Sequence, residues 1–88
     1  MELHLYTIYD AKAGAYLPPF TSLNDATAIR EFETAISQQD HDFNRHSEDY
    51  SLWTVATFNQ AKAELVTLKH LCIAQAHELL ATMERGLS

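Results

Sequence analysis

Residues able to hold a metal ion or exchange protons near neutral pH are few, and their spacing suits neither task. His41 and His46 flank a polar stretch, while His70, Cys72 and His77 cluster near the C-terminal end. On a helix, His70 and His77 would share a face two turns apart, too far to meet at one ion, and Cys72 would be rotated away from His70. There is no His-x-x-x-His pair and no set of cysteines, so the pattern implies no metal and no cofactor. Nucleophilic chemistry has no better footing. No Gly-x-Ser-x-Gly elbow occurs, and with only Gly14 and Gly86 no glycine-rich phosphate loop can form. Cys72 falls on an apolar stripe, where a thiol packs rather than reacts. Asp10 with Glu48 or Asp49 would make an acid–base pair, but carboxylates beside strands ordinarily form turns. A nonenzymatic protein is expected.

The aromatic residues are the stronger candidates. Tyr6, Tyr9, Tyr16, Phe20, Tyr50, Trp53 and Phe58 concentrate in or beside the segments that read as strands. Such rings can stack nucleic-acid bases, at about 1–3 kcal/mol per base. They can also fill a core or anchor a protein interface. Tyr6 and Trp53, with the basic residues Lys12 and Arg30, are the expected contacts for DNA or a protein partner.

Charge weighs against nucleic acid. Six Lys and Arg oppose twelve Asp and Glu, a formal net charge of −6, and no two basic residues are adjacent. Counterion release on a phosphate backbone requires concentrated positive charge. Tight duplex binding is therefore excluded as an expectation, and contact with single-stranded DNA should be weak.

Elements must position these residues, and 88 of them with 47% hydrophobic content make one domain, residues 1–88, around one core. A lone cysteine excludes an internal disulfide. No apolar run approaches the roughly 20 residues of a membrane span, and no basic segment precedes an apolar one at the N-terminus. A reducing cytoplasm is the expected compartment.

Leu3 to Tyr9 alternates with period two and reads as a strand. Asp10 to Gly14 supplies a turn, and Ala15 to Leu17 returns until Pro18-Pro19 ends the ladder. Ser22 or Asn24 caps a helix from about Asp25 to Gln38, with Ala28, Ile29, Phe32, Ala35 and Ile36 on its apolar face. Gln39 to Asp49 reads as a loop pinned by Phe43. Tyr50 to Phe58 is an interior strand, apolar on both faces, with Trp53 and Val55 opposite the Leu52 side. A turn over Asn59–Ala63 leads to a short strand, Glu64–Leu68. A final helix spans about 69–85, with Cys72, Ala76, Leu79, Leu80 and Met83 on one stripe and Gly86 as its left-handed stop. The fold class is α+β: an antiparallel sheet of about four strands with two helices, in the order ββαββα.

Two blocks carry a resemblance. Tyr6-Thr7-Ile8-Tyr9-Asp10, Tyr16-Leu17-Pro18-Pro19-Phe20, Asn24-Asp25-Ala26 and Ala28-Ile29-Arg30-Glu31-Phe32, followed by Glu48-Asp49-Tyr50-Ser51-Leu52-Trp53, resemble the small nonstructural protein of gokushoviruses. These are microviruses, bacteriophages with circular single-stranded DNA. The resemblance covers about residues 5–60. It implies a role in switching from duplex replication to synthesis and packaging of single-stranded genomes, in the cytoplasm of the bacterial host. The implied partners are viral replication or capsid-assembly proteins, with direct single-stranded DNA binding as the alternative and no membrane. An acidic surface suits a basic protein partner.

The final helix carries more apolar surface than one face can bury. A homodimer or higher oligomer is expected, with Leu71, Ile73, Leu79, Leu80 and Met83 at the interface.

Overall fold

The computed structural model describes residues 2–86. Along the chain run β1 (Glu2–Asp10), β2 (Ala15–Tyr16), β3 (Phe20–Ser22), α1 (Asp25–Ile36), α2 (Asp42–Arg45), a 3-10 turn at Ser47–Asp49, β4 (Tyr50–Asn59), β5 (Glu64–Gln75) and α3 (Ala76–Gly86). All strand pairs are antiparallel, in the order β2-β1-β4-β5, with β3 also on β1. The α+β architecture matches the expected class.

One edge of the sheet is a broken strand. β2 pairs with Tyr9 and Asp10, and β3 with His4 to Tyr6 further along the same β1. Between them the Leu17 N–H donates to the Ile8 carbonyl at 2.8 Å, and the Thr7 hydroxyl donates to the Leu17 carbonyl at 2.6 Å. Pro18 and Pro19 then offer no donor, which interrupts the ladder as expected. The chain nevertheless rejoins the sheet at Phe20, a return that the sequence reading lacked. Helix α1 starts where Asn24 caps it, its side chain accepting the Thr27 N–H at 2.9 Å.

Helices lie on one face of the sheet. Tyr6, Ile8 and Leu52 from the strands meet Ala28, Phe32 and Ile36 of α1 and Ala76 of α3 in one core. Phe43 pins the central loop as expected, its ring 5.5 Å from Phe32 and 4.6 Å from Tyr50. The Asn44 amide donates to the Ile36 carbonyl at 2.7 Å, satisfying an orphan acceptor at the end of α1.

The main correction concerns the C-terminal third. β5 continues to Gln75, so Leu71, Cys72 and Ile73 are strand residues, and the helix begins at Ala76 rather than about 69. Ladder irregularities opposite Leu52–Trp53 and Thr54–Ala56 break the period-two signature of β5. Without that signature, the 3.6-residue stripe extends spuriously backwards from the true helix. The α3 helix runs through Gly86, so the predicted stop there lies at the limit of the described residues; Met1, Leu87 and Ser88 lie outside them.

Candidate functional site

The face of the sheet away from the helices carries apolar and aromatic side chains with no helix over them. Residues directly paired across a ladder point to the same side. Leu3, Phe58 and Leu65 therefore share this face, as do Leu5, Ala56 and Thr67, and Thr7, Trp53 and Cys72. Leu5, Thr7, Tyr16, Leu17, Val55 and Leu65 help line a groove of about 340 Å³. Beside it stands an aromatic group. Tyr9 and Tyr16 are register partners with ring centroids 4.7 Å apart, and Tyr16 meets Trp53 edge-on at 6.2 Å. The Trp53 indole N–H donates to Ser51 Oγ two residues away, at 2.8 Å, which fixes the ring along the strand.

The four expected contact residues do not converge. Tyr6 is 0% exposed and sits in the core, so its ring is unavailable for stacking or partner contact. Its hydroxyl donates to Asp25 Oδ1 at 2.7 Å, and burial, then that bond, holds the phenol well above its ordinary range. Arg30 is exposed on α1, on the helical side of the sheet. Lys12 is exposed in the β1–β2 turn. Trp53 is half-buried on the open face and is the one expected residue within the aromatic group. Tyr9 and Tyr16, named in the sequence as aromatic but not chosen, join it because β2 pairs back on β1.

The expected oligomer residues are also divided. Ile73, Leu79, Leu80 and Met83 pack against the chain's own core, while Leu71 is exposed on β5. The apolar excess of this segment is thus largely absorbed within one chain, because half of it is strand rather than helix.

The histidines are likewise dispersed. His41 Nδ1 accepts the Phe43 N–H at 3.0 Å and caps α2. His70 lies in β5 and His77 in α3, so the shared helical face expected for them does not exist. Ligand atoms of His46, Glu48 and Asp49 lie within 4.8 Å of one another, with His46 and Glu48 exposed, an arrangement common at solvated turns without an ion.

Residues 3–79 match the phage ORF5 protein family. The chain belongs to that family. No curated protein and no solved structure matches it. It is therefore a phage protein.

The charge of this phage ORF5 family member is segregated by layer. Helices and the loop between them, residues 25–49 and 76–86, hold Asp25, Glu31, Glu33, Asp40, Asp42, Glu48, Asp49, Glu78 and Glu84 against Arg30, Arg45 and Arg85. Nine acids against three bases account for the whole formal charge of −6. The strands and their turns hold Glu2, Asp10 and Glu64 against Lys12, Lys62 and Lys69, and are neutral. Within the acidic layer Arg45 pairs with Asp42 at 2.7 Å, which keeps the Asp42 carboxyl below its ordinary range. Among the described residues, no helix is long and apolar enough to cross a membrane.

Proposed function

We propose that this phage protein acts without catalysis, by binding a basic protein partner through its acidic helical layer. The process is the passage from duplex replication to synthesis and packaging of single-stranded genomes, in the cytoplasm of the infected bacterium. The observation that carries the reading is the placement of the entire −6 on one layer. A surface of strong net negative charge repels phosphate and attracts a positive protein patch, raising the encounter rate and rejecting acidic competitors. Replication initiators and capsid-assembly proteins of a DNA phage handle nucleic acid and carry such patches, and the resemblance to the gokushovirus nonstructural protein favours partners of that kind.

A second reading has one observation in its favour. The Tyr9–Tyr16–Trp53 group lies on the neutral layer, where a single strand could stack without strong repulsion. Affinity purification of the tagged protein from infected cells, with and without nuclease, separates the two. A phage-encoded basic protein retained after nuclease supports the protein-partner reading. Recovery that vanishes with nuclease overturns it in favour of a DNA bridge.

A further inference from the structure

We infer that the open face of the sheet is a self-association surface, on which a second copy of this chain packs sheet against sheet about a two-fold axis.

Charge selects the occupant. The strand layer is neutral, with three acids and three lysines, so two copies can meet there without repulsion. The −6 of each copy then faces outward on opposite sides of the assembly. A nucleic acid needs a positive surface, which this layer lacks. A strongly charged protein finds nothing here to complement.

Area agrees. Four strand widths at about 4.8 Å and a length of about 30 Å give a flat footprint of roughly 600 Å². Side-chain relief raises the accessible area towards the roughly 800 Å² per partner of a standard interface. Two sheets packed face to face sit about 10 Å apart with their inner side chains interdigitating. The groove beside Tyr16 and the projecting Leu65, which is 60% exposed, provide that relief on the same face. In a two-fold arrangement each copy offers both features to the other.

The β5 edge offers a poorer route. Its ladder is irregular between Thr67 and Leu71, and Lys69 lies within that stretch. Bulges and edge lysines are the features that block edge-to-edge pairing. The face, rather than the edge, is left to self-associate.

Light scattering on the full chain, with Leu65→Lys and Val66→Lys as paired variants, tests the inference. Leu65 is 60% and Val66 54% exposed, but Val66 alternates to the helical side of β5, in register with Thr57 and His4. The wild type should give about 20 kDa, twice the 10.0 kDa chain, and Val66→Lys should match it. Leu65→Lys should fall to the single-chain mass with its circular dichroism unchanged. Trp53 emission should shift to the red as the wild type is diluted through dissociation, a readout that needs no variant. A wild-type mass near 10.0 kDa up to millimolar concentration overturns the inference. So does a dimer indifferent to Leu65→Lys, or quenching of Trp53 by an oligonucleotide on a protein that stays monomeric.

Discussion

Tyr6 Oη, at the centre of the sheet, donates a hydrogen bond to Asp25 Oδ1, in the first residue of α1, across 2.7 Å. The bond ties a fully buried ring to an exposed carboxylate and fixes where α1 starts over the sheet. It also places a negative group beside the positive end of the helix. Tyr6→Phe should cost about 1–2 kcal/mol, since the lost bond has a charged acceptor that water can re-solvate. Burial and Asp25 raise the Tyr6 pKa, so its contribution is fully present below the ordinary phenol value near 10 and is lost as pH rises above it. Denaturant melts of wild type and Tyr6→Phe should therefore converge in alkali. Tyr50, raised mainly by its own burial, leaves part of the alkaline slope in both proteins.

Phe32 is the hinge of the core, 3% exposed and in edge contact with Phe43. Phe32→Ala should cost about 3–5 kcal/mol. A chain of this length has about 4–13 kcal/mol in total, so the variant should lose a large share of its stability and melt well below the wild type. Thermal melting followed by circular dichroism measures this, and an unchanged midpoint would contradict the packing described.

Two hairpin turns, Asp10–Gly14 and Asn59–Ala63, share one hydrogen-bonded design on different sequences, and the residue that closes each decides its strain. Asp10 Oδ1 accepts the N–H groups of Lys12 and Ala13, and Asn59 Oδ1 accepts those of Ala61 and Lys62. Each turn closes with a 2.8 Å bond, Gly14 to Asp10 and Ala63 to Asn59, and ends in the left-handed region at φ 68° and 57°. Glycine reaches that region without cost, whereas alanine is strained there by about 1–2 kcal/mol. Ala63→Gly should stabilise the protein by about 0.5–1 kcal/mol after the added freedom of the unfolded chain is counted. Gly14→Ala should destabilise by a similar amount, through backbone strain alone, because a Cβ there meets nothing within 4 Å. Chemical denaturation of the two variants reads both signs.

Much of this fold was legible because single residues fixed its boundaries. Asn24 capped α1, the Ala28–Ile29–Phe32–Ala35–Ile36 spacing fixed its buried face, and Pro18-Pro19 marked the break in the edge. β4 declared its two apolar faces through Leu52 against Trp53 and Val55. What was hidden depended on partners distant in sequence. Phe20 to Ser22 is three residues, too few for a period, and becomes a strand only because β1 is beside it. The distal half of β5 was obscured by irregularities in its ladder. Tyr6 looked like a surface ring because alternation assigns a residue to a face without saying which face the helices cover. The same ambiguity hid Tyr9 and Tyr16 as neighbours of Trp53.

Single-stranded DNA binding should be weak and steeply salt-dependent, given the net −6. Fluorescence anisotropy with a short labelled oligonucleotide should show submicromolar affinity at no physiological salt concentration. Whatever binding remains at low salt should fall further with Trp53→Ala than with Cys72→Ala, because an indole stacks on a base and a thiol does not.

The proposed role depends most directly on the acidic layer. Glu31 on α1 and Glu78 on α3 are both exposed, and reversing both to lysine takes the net charge from −6 to −2, two units at each site. The decisive measurement is nuclease-treated affinity purification from infected cells with wild type and Glu31→Lys/Glu78→Lys side by side. The protein-binding reading predicts a basic phage protein recovered with the wild type, released by raised salt, and lost from the double variant at an unchanged melting midpoint. Equal recovery by both proteins, or recovery only where nucleic acid is left intact, would contradict it.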